Sequence, residues 1–184
     1  MKWEIKPPAW PVAPRPFAVE PIGGWLGRVA ARYRMSVDEL AQMYELEIVF
    51  DRLSSTWLHV STIGEATVEK LAALARMNVA VLNALQWPLT APAPPATATA
   101  TAPQRQLAYC PSCVFLNPLD VESPCWKREW MESATTCCQI HTQQLQKLPI
   151  ASVRRCGNFD HVLRVISRRE ASWRERLAWS VSPR

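Results

Sequence analysis

A chain of 184 residues permits one compact domain or two small ones, and each small half would have a thin core that benefits from a staple. Apolar residues make up 48% and nine are tryptophan, so burial is ample, while sixteen prolines against five glycines place extended stretches between the helical ones. The formal charge of +5 is uneven, because nine Lys/Arg face three acids from Lys147 onward.

No run approaches the roughly 20 consecutive apolar residues of a membrane-spanning helix, which excludes a membrane protein of that kind. The N-terminal MKWEIKPPAWPVAPRP lacks the continuous apolar core of a signal peptide. A reducing, cytoplasmic setting is expected, in which six cysteines signal metal binding instead of disulfides.

Residues 1–21 contain six prolines together with Trp3 and Trp10, which predicts an extended arm. Its aromatic anchors suit either another protein or the chain's own domain. From Gly23 to Arg34, Trp25, Leu26, Val29, Ala30 and Tyr33 recur at helical spacing, with Arg28, Arg32 and Arg34 between them. Ser36-Val-Asp-Glu39 then reads as a capping box opening a helix through Tyr44. Two short helices and a tight turn give an outline shared by helix-turn-helix modules and plain helical hairpins.

The stretch Glu47 to Gly64 reads as a short extended segment or loop, with His59 structural. Thr62-Ile-Gly-Glu65 offers a second capping box before the apolar stripe Val68, Leu71, Leu74 and Ala75. A short helix from Val79 to Gln86 follows, and Trp87-Pro88 ends it. The uncharged Pro/Ala/Thr sequence Leu89–Pro103 cannot bury enough surface to offset its ordering entropy, so a flexible linker is expected over 88–106 after a helical domain over 22–87.

After the linker comes Cys110-Pro-Ser-Cys113, then twenty-four residues, then Cys138-Gln-Ile-His141. Cys-x2-Cys lets two thiolates reach one ion from a tight turn, and Cys-x2-His closes a tetrahedron from a second element. A closed set of three thiolates and one imidazole suits a structural Zn2+, with no open position for hydrolysis. Cys138 is preferred as the third thiolate; Cys137 would give a Cys-x3-His spacing, and Cys125 reads as a small buried hydrophobe. The zinc-binding, ribbon-like module spans 107–149.

Between the ligand pairs, a helix over Pro124–Glu132 would stack Trp126, Trp130 and Met131 over the metal site. Downstream, Asn158 is expected to cap a helix carrying Phe159, Val162, Val165, Ile166 and Trp173. This basic tail, over 150–184, presents Arg154, Arg155, Arg164, Arg168, Arg169, Arg174 and Arg176, candidates for contact with a nucleic-acid backbone or an acidic protein.

Two stretches carry a family likeness: Glu20-Pro-Ile-Gly-Gly-Trp-Leu-Gly-Arg28, and the run Tyr109-Cys-Pro-Ser-Cys113 with Cys138-Gln-Ile-His141-Thr-Gln-Gln-Leu145. With Ser123-Pro-Cys-Trp-Lys-Arg-Glu-Trp130 between them, the chain resembles the TniQ family, transposon target-selection proteins that include TnsD-like members and the small TniQ of CRISPR-associated transposons. The likeness implies a mainly α fold, with an N-terminal helix-turn-helix module and a small C-terminal zinc module. It also implies a non-catalytic adaptor that brings a TnsC-like AAA+ ATPase to target DNA or to a CRISPR effector–guide RNA complex. On that basis Trp3, Trp10, Trp25 and Arg28 are expected on the ATPase-facing surface, and the arginines of the tail on DNA or guide RNA, with self-association as a further expectation. Many members carry a second Cys-x2-Cys pair; only Cys156 follows here, so a second zinc is not expected.

No nucleophile elbow, P-loop, HExxH or paired-carboxylate motif stands out, which disfavours an enzyme. A zinc-containing helix-turn-helix transcription regulator is the competing reading.

Overall fold

The first helix forms where the apolar spacing places it and meets the rest of the chain through glycine. In the computed structural model, which describes residues 8–49, 56–87, 106–115, 124–132 and 134–181, with side chains as far as Ser172, α1 covers Ile22–Arg32. Trp25, Leu26 and Val29 point into the core, and a Cβ on Gly27 would fall inside the ring of Trp57. That missing side chain lets the 3-10 turn Trp57–His59 lie directly on the helix.

Helix α2, Val37–Met43, opens with the expected capping box: Glu39 N donates to Ser36 Oγ at 3.1 Å and Ser36 N donates to Glu39 Oε2 at 2.7 Å. These two bonds hold the Glu39 carboxyl below its usual 4.5. Helix α3 is Glu65–Ala75 and α4 is Val79–Asn83. The second expected capping box does not form. Gly64, not Thr62, precedes α3, so Glu65 sits at the first helical position, too early to reach back to a Thr62 cap. Helix α4 is shorter than expected and is capped by Asn78, whose Oδ1 accepts from Ala80 N at 2.8 Å.

Helices α1, α2 and α3 stop the same way. Arg34, Glu45 and Arg76 adopt left-handed backbone with φ of 56°, 48° and 52°. The next amides, of Met35, Leu46 and Met77, reach back to Ala30, Ala41 and Ala72 carbonyls at 3.0, 2.8 and 2.9 Å. This is the Schellman pattern, here built without glycine.

The proline-rich arm folds back onto these helices. Trp10 is 2% exposed, its ring centroid 5.6 Å from Tyr44 and 6.2 Å from Trp25, and its amide donates to the Leu74 carbonyl at 2.7 Å. Tyr33 Oη, Trp25 Nε1 and Arg28 Nη2 donate in turn to the carbonyls of Val12, Pro14 and Arg15 at 2.8, 2.9 and 2.7 Å. A strap of prolines lacks amide donors, and α1 supplies donors to its carbonyls along the length.

The C-terminal half contains an antiparallel pair that the sequence reading did not foresee: β1, Gln106–Tyr109, with β2, Gln146–Pro149, in the register Leu107 to Leu148. The end of the expected linker, Gln106, is therefore the first residue of a strand, and 88–105 lie outside the described residues. Short helices α5, Pro111–Val114, and α6, Ile150–Val153, flank the pair. The expected helix over Pro124–Glu132 is only a 3-10 turn, Arg128–Met131, because Lys127 is extended with φ −99° and ψ 140°. Trp126 and Trp130 are buried all the same, their rings 5.7 Å apart and edge to face.

Helix α7, Phe159–Val181, closes the fold. Asn158 caps it as expected, its Oδ1 accepting from His161 N at 3.1 Å while its Nδ2 donates to the Met35 carbonyl at 2.8 Å. Phe159, Val162 and Ile166 are buried, and the helix packs on α1. Among the described residues the fold is thus mainly helical with one small two-stranded sheet, and no helix is long and apolar enough to cross a membrane.

Candidate metal centre and basic surface

Two turns bring the ligand residues together. The first is α5, where Pro111 sits at the first helical position and Val114 N donates to the Cys110 carbonyl at 3.1 Å, so Cys110 and Cys113 face the same point. The second is a tight hairpin in which Cys138 N donates to the Gln143 carbonyl and Leu145 N to the Thr136 carbonyl, both at 2.8 Å. Thr142, left-handed with a φ of 49°, reverses the chain after His141. Pairing of β1 with β2 then aligns the two turns, and Ser112 Oγ ties them directly by donating to Gln143 Oε1 at 2.9 Å.

The Sγ atoms of Cys110, Cys113 and Cys138 and a ring nitrogen of His141 all lie within 4.8 Å of one another. His141 Nδ1 is 3.6 Å from Cys110 Sγ, 3.2 Å from Cys113 Sγ and 3.8 Å from Cys138 Sγ, and Cys113 Sγ is 3.6 Å from Cys138 Sγ. A tetrahedral ion bound at about 2.3 Å by sulfur and about 2.0 Å by nitrogen needs ligand atoms roughly 3.5–3.8 Å apart. The donor set fits a metal ion in both spacing and chemistry. Cys138 belongs to this group, whereas Cys137 is exposed and bridges Gln144 through its backbone.

Electrostatics around the thiols differ. Burial pushes the Cys110 and Cys113 thiols up, and hydrogen bonding to Cys138 pushes Cys113 further. Burial also acts on Cys138, but the His141 amide and ring and the Ile140 amide outweigh it and bring that thiol down to about 7. Lys127, 9% exposed and with its ammonium 5.9 Å from the Trp130 ring centroid, draws Cys113 down against its burial. Nothing in the sequence around Lys127 marks it as a neighbour of the cluster, because its placement depends on the extended backbone before the 3-10 turn.

Tyr109, next to the first ligand, is fully buried, and its hydroxyl donates to Glu170 Oε1 of α7 at 2.9 Å. Sequence inspection had no signal for this contact either, since the partners are 61 positions apart.

The other expected site residues fare differently. Trp10 and Trp25 are buried, and Arg28 is spent inside the fold: Nε and Nη2 donate to Glu20 Oε1 and Oε2, both at 2.8 Å, with Phe17 under the guanidinium at 4.6 Å. Glu20 itself is 0% exposed; burial pushes its carboxyl up while Arg28 and the Phe17 amide draw it down. Within the chain, Trp10, Trp25 and Arg28 hold the arm to α1. Trp3 lies outside the described residues.

Arg154, Arg155, Arg164, Arg168 and Arg169 are exposed. On α7 they do not form one stripe: Arg164 and Arg168 are one turn apart on the outer face, while Arg169 is turned about 100° away. The side chains of Trp173, Arg174 and Arg176 lie outside the described residues. His59 is structural, its Nδ1 accepting from Thr56 N at 3.4 Å.

No curated protein gives a significant match to this sequence. A family profile described as TniQ matches residues 11–145, from the proline-rich strap through the last residue of the hairpin that carries His141. With nearly three quarters of its length inside that match, the chain belongs to the TniQ family, proteins of transposition target selection.

Proposed function

We propose that this chain is a zinc-stabilised adaptor that links a TnsC-like AAA+ ATPase to the DNA target of transposition. The observation that carries the reading is the TniQ match over residues 11–145, which contains a Cys3His group whose donor atoms all lie within 4.8 Å of one another. Zinc is the ion that a closed set of three thiolates and one imidazole favours, and its role there is to staple two turns together.

The helix-turn-helix outline of α1 and α2 supports protein contact more than groove reading. Glu39, Gln42, Met43 and Glu45 are exposed on and just after α2, and their acidic charge opposes a phosphate backbone. In this reading α2 faces a protein, and the arginines of α7 face DNA or the RNA of a CRISPR guide complex. With Trp10, Trp25 and Arg28 internal, the ATPase-facing part of the arm is its outer side, where Val12 and Val19 are each 50% exposed.

Co-purification of the full chain with a TnsC-like AAA+ ATPase tests the reading. Capture of the ATPase, lost in Val12→Asp/Val19→Asp and retained in Arg164→Ala/Arg168→Ala, is the expected result. Failure of the intact, metal-loaded protein to retain the ATPase with or without DNA overturns it.

A further inference from the structure

A cleft of about 410 Å3 opens between the C-terminal end of α1 and the first turn of α7, with Pro14 of the arm and Pro124 at its edges. Arg28, Arg32 and Arg34 line one side and Phe159, Asp160 and Leu163 the other. Arg28 is committed to Glu20, but Arg32 and Arg34 are exposed and form no ion pair with a described residue. Only Asp160 opposes them among the described residues that line the cleft.

Arg34 also holds a left-handed conformation, φ 56°, at the one position of the Schellman turn where glycine is the low-energy choice. Glu45 and Arg76 share that conformation after α2 and α3, and what sets Arg34 apart is that it lines the cleft.

We infer that this cleft seats one unpaired nucleotide of a single-stranded nucleic acid, with its phosphate on Arg32 and Arg34 and its base against Pro14, Pro124 and Leu163. Charge accounts for an anion, and the walls decide which one. A duplex offers a cleft only phosphates and leaves apolar walls uncovered, whereas an unpaired nucleotide also offers a π-face that stacks on proline, leucine and guanidinium surfaces. The volume lies in the range of small-ligand pockets. The inference rests on the adaptor reading for its biological setting, but its residues are distinct from the α7 arginines assigned there.

The test is fluorescence anisotropy of the full, zinc-loaded protein with a labelled single-stranded oligonucleotide and with the same sequence as a duplex, across a salt series. Arg32→Ala/Arg34→Ala should weaken single-strand binding about tenfold or more and flatten the log–log salt slope by about 0.7, the value for one lost phosphate contact. Arg34→Gly should weaken binding too while melting no lower than the parent, which separates loss of charge from loss of fold. Unchanged affinity in both variants overturns the proposal, as does duplex affinity equal to single-strand affinity, or displacement of the oligonucleotide by polyglutamate at equal charge concentration. Binding that survives the cleft variants but is lost in Arg164→Ala/Arg168→Ala overturns the cleft and leaves the α7 reading standing. The converse pattern overturns the α7 reading alone, and no binding by the parent protein overturns both.

Discussion

Single side chains carry much of what makes this chain fold, and several of them sit where the local rule is broken. Arg76 occupies the left-handed position after α3 with φ 52°, where a Cβ costs roughly 1 kcal/mol or more. Arg76→Gly is therefore expected to raise stability by about 0.5–1 kcal/mol, read as a higher urea midpoint with an unchanged slope. Glu20 and Arg28 behave oppositely. Both are nearly inaccessible and bonded twice, so Glu20→Gln should cost about 3–5 kcal/mol by leaving a buried guanidinium without its anion, and Glu20→Leu/Arg28→Leu should recover part of that loss. The pair was invisible in the sequence as a pair, although both residues stand at the ends of the motif that marks the family. A glutamate eight positions before an arginine has no helical reason to meet it; Pro21 turns the chain so that it does.

At the level of elements, α1, α2 and α3 were legible because apolar spacing and the Ser36–Glu39 box are local signals, and both survive in the folded chain. The α2 cap should show itself in acid. Glu39 ionises below 4.5 in the fold because Ser36 hydrogen bonds favour its anion, so the contribution is present above that value and lost as pH falls through the folded one. The Ser36 amide resonance should titrate with this carboxyl. Strands β1 and β2 were not legible: Gln-Leu-Ala-Tyr and Gln-Lys-Leu-Pro have no β-branched residue and only four positions each, and it is their pairing across the ligand turns that makes them strands. The ligand spacing, in contrast, is chemistry written directly in the sequence. Cys138→Ser and His141→Ala should each abolish stoichiometric zinc by elemental analysis, while Cys137→Ser should leave one ion per chain. Since burial keeps Cys110 and Cys113 protonated in the free protein, apparent zinc affinity should climb with pH from about 6 to 8, with proton release on binding.

Across the whole molecule, the two halves on either side of residues 88–105 are stitched by contacts that no single-sequence reading reaches. Trp57 Nε1 donates to the Cys156 carbonyl at 2.7 Å, Val37 N to the Gly157 carbonyl at 2.7 Å, and Arg128 to the carbonyls of Ala18 and Ala84. A Cβ on Gly157 would press into Ser36, so the turn before α7 fits against the start of α2 only as glycine. We expect one cooperative unfolding transition: far-ultraviolet dichroism and tryptophan fluorescence should report the same midpoint, and Gly157→Val should lower both midpoints together through a stability loss of about 1–3 kcal/mol. Two midpoints would mean that the halves are independent units, as the composition of the intervening segment suggested.

The aromatic packing behind β1 makes the protein its own optical gauge of metal content. Trp126 lies 6.3 Å from Tyr109, the neighbour of Cys110, and Trp130 lies edge-on against Trp126. Cobalt loaded at the Cys3His group would place a coloured thiolate complex within energy-transfer range of two indoles. Emission should dim in step with occupancy, allowing release and uptake to be followed without a label.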